Sequence, residues 1–156
     1  AVCLVPENRN EVTTEGGPNV ASQVESIKAT TEKLGQVGIE VSLFIDPDPE
    51  QIEATAQTGS PVIELHTGPF ADSYAHESKR SIEIERLIKA AEHAKGLGLI
   101  VNAGHGINYE NVQGLFSVPH LKELNIGHSI ISRAITVGLS QATSEMLTKM
   151  AGYDIE

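Results

Sequence analysis

Five short apolar runs, at residues 2–5, 40–45, 62–65, 99–102 and 123–126, recur along this chain with a helical pattern after each. The runs lack strict alternation and carry β-branched residues, as parallel strands covered on both faces do. The intervening patterns have helical spacing. Residues 20–37 place Val24, Ile27, Leu34 and Val37 on one face and stop at Gly38. A short helix over 49–57 is opened by Asp46-Pro47-Asp48-Pro49 and ended by Gly59. Residues 78–95 carry Ile82, Ile84, Leu87, Ile88 and Ala91, and Gly96 and Gly98 close them. A short helix around 108–115 and a last one over 129–150 complete a βαβαβαβαβα order. That order predicts one α/β domain over 1–156, with a parallel sheet and right-handed crossovers.

Two architectures satisfy the order. A doubly wound sheet of five strands suits 156 residues. A (β/α)₈ barrel takes about 250 residues and at least roughly 200, so this chain would be a part of one. The chain begins at Ala1, almost directly in a strand, which predicts that something preceding it is absent.

Composition narrows the function classes. With 40% apolar and 21% charged residues the chain holds one core. No apolar run approaches the roughly 20 residues of a membrane span. Asn8, Arg9, Asn10 and Glu11 break any early apolar run, so no signal peptide is expected and the cytoplasm is the expected location. The single cysteine, Cys3, excludes an internal disulfide. In its apolar run it reads as a buried, inert thiol. A net charge of -10 without a Lys/Arg cluster argues against a nucleic-acid partner. Any phosphate site must then rely on local N–H groups and histidine.

Such sites are present in the pattern. Glu64 and His66 sit two apart in a strand and share one face. On the inner face of a parallel strand both are costly to bury without partners; the bland alternative is an internal ion pair or hydrogen-bond network. Asn102-Ala103-Gly104-His105-Gly106 ends a strand with a histidine between glycines. Backbone there can approach a ligand, and histidine moves protons near neutral pH. Asn125-Ile126-Gly127-His128 leads into the last helix. A phosphate fits at that helix start, unless Asn125 or Ser129 merely caps it. The polar loop 6–17, with Arg9, Thr13, Thr14, Gly16 and Gly17, suits a sugar phosphate or is a plain surface loop. Loop 68–76 could be a lid, and nothing in the sequence decides it. His66, His105 and His128 together could also be read as zinc ligands, but neither cysteines nor His-x-x-x-His spacing support that. His76, His93 and His120 read as surface residues.

Taken together, Leu4-Val5-Pro6-Glu7 with Glu11-Val12-Thr13-Thr14-Glu15-Gly16-Gly17, Val41-Ser42-Leu43-Phe44-Ile45-Asp46, Ile63-Glu64-Leu65-His66-Thr67-Gly68, Val101-Asn102-Ala103-Gly104-His105-Gly106 and Glu123-Leu124-Asn125-Ile126-Gly127-His128 resemble the pyridoxine 5′-phosphate synthase family, in order along essentially the whole chain. The resemblance implies a TIM (β/α)₈ barrel of which this chain is the last five βα units. It implies a transferase reaction: 1-deoxy-D-xylulose 5-phosphate condenses with 3-amino-2-oxopropyl phosphate to pyridoxine 5′-phosphate, phosphate and water, by acid/base catalysis with no metal or organic cofactor. It also implies a cytoplasmic homo-octamer. Carried over by position, His105 resembles the family's proton donor and Glu64 its transition-state stabiliser. Gly106, Gly127 and His128 resemble the ligands of the aminoketone phosphate, and Thr13 the threonine that contacts deoxyxylulose phosphate. The family's first three strands, with Asn-x-Asp-His and His-x-Arg-Glu-Asp-Arg stretches and a further glutamate, have no counterpart here. Two of three catalytic acid–base groups would therefore lie outside the chain, which is expected not to turn over alone. The rivals are another phosphate-binding barrel enzyme, an isomerase or aldolase, and a non-catalytic phosphate-binding module. An aldolase lysine is not apparent, since Lys28, Lys33, Lys79, Lys89, Lys95, Lys122 and Lys149 all fall in predicted helices or turns.

Overall fold

A computed structural model describes residues 1–5 and 19–153. Strands β1 (Val2–Leu4), β2 (Val41–Ile45), β3 (Val62–His66), β4 (Ile100–Gly104) and β5 (Leu121–Asn125) form one parallel sheet in the order β1-β2-β3-β4-β5. The order never reverses, so there is no switch point of the kind a doubly wound sheet has. The sheet is singly wound, an arrangement compatible with part of a barrel.

Helices α1 (Val24–Gln36), α2 (Pro49–Gln57), α3 (Gly68–Ser73), α4 (Glu77–Gly96), α5 (His128–Val137) and α6 (Leu139–Met150) fill the connections and the C-terminus, with a 3₁₀ turn at Val112–Ser117. Local chemistry sets several ends. Asp48 caps α2, its Oδ1 accepting from the N–H of Glu50 at 3.0 Å and of Gln51 at 3.3 Å, with Pro49 in the first turn. Val20 is fully buried ahead of α1, and its N–H donates to Gln51 Oε1 at 2.7 Å.

The core lies between one face of the sheet and the helices. Leu43, Ile45, Ile63, Leu65, Val101 and Ala103 point to it from the strands, meeting Ile52 of α2, Leu87, Ala90, Ala91 and Ala94 of α4 and Met146 of α6. Burying each Leu or Ile contributes roughly 1.5–3 kcal/mol. The alternate residues, Cys3, Ser42, Phe44, Glu64, His66, Asn102 and Asn125, lie on the opposite face by the period of two. Among the described residues, no helix is long and apolar enough to cross a membrane.

Several expectations change. The helix expected over 129–150 is two helices, because Gly138 takes φ +84°, a left-handed backbone that ends α5 before α6 begins. Residues 68–73, read from the sequence as part of a loop, form α3, anchored by a fully buried Phe70, with Pro69 in its first turn. The helix over 20–37 begins only at Val24, and the one around 108–115 is the 3₁₀ turn. The strand at 123–126 starts earlier, at Leu121. His93 is half-buried rather than on the surface, with Nε2 3.3 Å from Glu53 Oε1. His120 is also half-buried, at φ +63°. Cys3 is not in the apolar core: it is half-buried on the opposite face, against Glu64.

Candidate active site

The polar runs singled out in the sequence that fall among the described residues meet at the C-terminal edge of the sheet. An open cleft of about 620 Å³ there is lined by Val5, Phe44, Glu64, His105, Gly106, Ile107, Asn108, Asn125, Ile126, Gly127, His128, Ser129 and Ser132. Five of the six candidate site residues are thus in one cleft. The sixth, Thr13, lies outside the described residues, as does the rest of loop 6–17.

Glu64 sits at mid-sheet on β3 with 7% of its surface exposed. Its Oε2 accepts from Asn125 Nδ2 at 2.6 Å and from the thiol of Cys3 at 3.4 Å. Its Oε1 lies over Gly104, where any Cβ would collide with it. The buried carboxylate is therefore held by donors, not left alone. The thiol answers to the same contact. Burial, then the Glu64 charge and the hydrogen bond to it, push Cys3 up to about 12, so it stays neutral at physiological pH.

His66, two residues on, faces the same side and is 6% exposed. Its Nδ1 lies 3.0 Å from Asp46 Oδ1, at the end of β2. A carboxylate only accepts, so Nδ1 carries the hydrogen of this bond and Nε2 is directed elsewhere. Nε2 comes so near Gly68 that a Cβ there would collide with it. The His66 ring is edge-on to His105 at 5.1 Å between centroids, and Phe44 packs at 5.1 Å from the His66 ring. Sequence reasoning placed Glu64 and His66 on one face; the pairing of His66 with Asp46 was not anticipated. Its only trace is the position of Asp46 at the end of the neighbouring strand.

His105 is exposed, in the turn that follows β4, with φ +81°. A non-glycine residue there costs about 1 kcal/mol or more and needs support. Thr67 supplies it: its hydroxyl lies 2.7 Å from Gly104 O and 2.6 Å from His105 O, and its N–H donates to Gly104 O at 2.9 Å. Gly106 follows at φ +75°, where an added Cβ would stand 2.6 Å from Ala71 Cβ, so both space and backbone favour glycine. Asn111 Nδ2 donates to Gly106 O at 3.0 Å and steadies the turn from below. The result is an imidazole held out over the cleft on a fixed backbone.

Gly127 and His128 start α5 across the cleft. No side chain caps this helix. Ser129, one of the expected caps, donates instead to Ile107 O at 2.9 Å, and Asn125, the other, is engaged by Glu64. The first N–H groups of α5 are thus uncapped by side chains, and open space surrounds Gly127. That is the geometry an anion needs: bare N–H donors, the positive end of a helix dipole and room for close approach. Among the described residues, no three His, Cys, Asp or Glu side chains are grouped to hold a metal ion. His66, His105 and His128 are not grouped in that way.

The arrangement can therefore bind an anion at α5, move a proton at His105 and set a fixed carboxylate against a polar intermediate. Comparison with known proteins adds the family. Residues 1–152 match the family described as "Pyridoxal phosphate biosynthesis protein PdxJ". The chain is 54% identical over 150 residues to the pyridoxine 5′-phosphate synthase of Opitutus terrae, covering 96% of this chain and 60% of that protein. It is 55% identical over 149 residues to that of Photobacterium profundum, covering 96% and 61%, and 52% identical over 151 residues to that of Aliivibrio fischeri, covering 97% and 62%. The chain thus spans about three fifths of the length of these curated relatives.

Proposed function

This chain belongs to the PdxJ family of pyridoxal phosphate biosynthesis proteins, and from that premise we propose that it forms one domain that is the last five βα units of a (β/α)₈ synthase barrel. The reaction is the condensation of 1-deoxy-D-xylulose 5-phosphate with 3-amino-2-oxopropyl phosphate to pyridoxine 5′-phosphate, phosphate and water. The observation that carries the reading is the convergence of Glu64, His105 and the uncapped start of α5 on one cleft at the C-terminal ends of parallel strands. Barrel enzymes place their chemistry and their late-strand phosphate sites there.

In this reading the aminoketone phosphate sits on the N–H groups at Gly127 and His128, with Gly106 as the close-approach wall. Thr13 contacts the deoxyxylulose phosphate. His105 donates protons as hydroxyls leave as water, and the Glu64 carboxylate stabilises the cationic character that develops in imine formation and ring closure. Each step is a proton transfer between positioned groups, which is what such side chains supply. Two of the three acid–base groups and three strands lie in the remainder of the barrel. The singly wound sheet, with β1 and β5 as its outer strands, supports that closure. Ile131, Ile135 and Leu139 lie exposed on and beside α5, and that apolar face supports assembly with further copies, an octamer by resemblance to the family. A cytoplasmic location belongs to the same reading.

The test is turnover. Given both phosphates, the 156-residue chain should form no pyridoxine 5′-phosphate above a His105→Ala control. Joined to the three further βα units the reading calls for, it should do so. In that full barrel His105→Ala should lower kcat by roughly 10²- to 10⁴-fold, with both substrates still bound. Turnover by the short chain alone would overturn the division of catalytic groups. Absence of product from the full barrel would overturn the function.

A further inference from the structure

We propose that Asn125 is a positioning residue for Glu64, a role that rests on the reading of Glu64 as a group of the synthase site. Glu64 is central on β3 and Asn125 ends the outermost strand, β5, 61 residues later. The two meet across β4, over Gly104, which pairs with Asn125 in register. The carboxamide must present Nδ2 to the carboxylate, because Oδ1 would set two acceptors face to face. At 2.6 Å this is a short, charge-assisted contact. Cys3, on the opposite outer strand, donates its neutral thiol to the same oxygen at 3.4 Å.

The consequence is a division of labour between the two carboxylate oxygens. Oε2 takes both donors. Oε1 takes neither and is lodged over the bare Cα of Gly104. Oε1 is therefore the oxygen that faces reacting atoms, and Asn125 keeps it there. Two residues beyond Asn125 is Gly127, which opens the anion-binding start of α5. One short segment thus serves both substrate phosphate and carboxylate.

The test is a mutant cycle in the protein as its organism makes it, with Glu64→Ala, Asn125→Ala and the double variant. Asn125→Ala is expected to lower kcat roughly 10- to 100-fold, with KM for both phosphates within about twofold. In the Glu64→Ala background the same change is expected to cost less than about twofold, since it acts through the lost carboxylate. Asn125→Asp, which sets a second negative charge on Oε2, should be at least as damaging as Asn125→Ala. An activity-independent readout accompanies these: a downfield Nδ2–H resonance of Asn125 that disappears in Glu64→Ala. Equal kcat losses in both backgrounds overturn the proposal, as does an Asn125 side-chain resonance indifferent to Glu64. If the unmodified protein makes no product, the synthase reading falls. The Asn125 resonance then decides the contact by itself.

Discussion

Leu65 and Glu64 are neighbours on β3, fully buried and 7% exposed respectively, and they face opposite sides of the sheet. The Leu65 side is a continuous apolar seam against α2 and α4. The Glu64 side holds a carboxylate with two donors, a histidine tied to an aspartate and Asn102, whose Oδ1 is buried without a hydrogen-bond partner. Burial has different consequences on the two faces. On the helix side it stabilises the fold through apolar area, and any side chain of the right size serves. On the cleft side each polar group costs free energy unless partnered, about 1–3 kcal/mol for one left unsatisfied. The partners on this face hold Glu64 and His66 in place. The apolar core and the candidate site are thereby separated by one residue step along a strand.

The largest expected effect tests that separation directly. Leu65→Ala leaves a cavity at the centre of the apolar seam and should lower unfolding free energy by about 2–5 kcal/mol. Glu64→Gln keeps shape and one acceptor, so its cost in stability should stay below about 1.5 kcal/mol, with the loss falling on turnover. Denaturant titration of both variants checks the pair. Equal destabilisation would mean that the cleft side also holds the fold.

A smaller effect is expected where the two demands meet, at Gly104. Its backbone is not left-handed, so alanine is conformationally allowed there. The new Cβ would run into Glu64 Oε1 and lies 3.1 Å from Asn125 Cβ. The fold should yield by about 1–3 kcal/mol, the cost of overpacking, while Glu64 rotates off its seat. Gly104→Ala should therefore lose turnover out of proportion to its loss in stability. A variant that melts earlier but keeps full kcat would show that Oε1 has no fixed role.

The sequence already carried much of this comparison, and its failures are local. Strand periodicity put Glu64 and His66 on one face and Leu65 on the other because the side-chain period is two. Glycines beside His105 and His128 marked the cleft: a Cβ at Gly104 or Gly106 would collide with Glu64 or Ala71, and open space surrounds Gly127. What periodicity cannot convey is who meets whom across strands. Asn125 reads as a helix cap from its neighbours, and only the register of β4 and β5 delivers it to Glu64, 61 residues away. The same holds for Asp46 and His66, 20 apart. Gly138 was hidden because the apolar spacing runs through it, and a lone glycine inside a helical pattern is often tolerated. Phe70 was hidden behind Gly68-Pro69, which reads as a turn although proline also opens helices.

The smallest expected effect concerns Cys3, where a residue that reads as apolar core proves to lie on the cleft side. Its thiol is held neutral by burial and by the nearby Glu64 charge, up to about 12. In the unfolded chain it titrates near its ordinary value of about 8.5. Between those values the folded state binds the proton and the unfolded state does not, so stability falls as pH rises through this window. Below about 8.5 the contribution is fully present. Cys3→Ala should flatten the alkaline decline, and only slightly, because the half-exposed thiol is screened by water. The sharper readout is reactivity. The thiolate is the nucleophile, so alkylation of Cys3 at pH 8 should be slower than that of a free cysteine peptide, and Glu64→Gln, which removes the repelling charge, should speed it. A rate equal to the peptide's in the unmodified protein would place Cys3 away from the carboxylate. The cleft side of the sheet would then lose one of the two donors that hold Glu64.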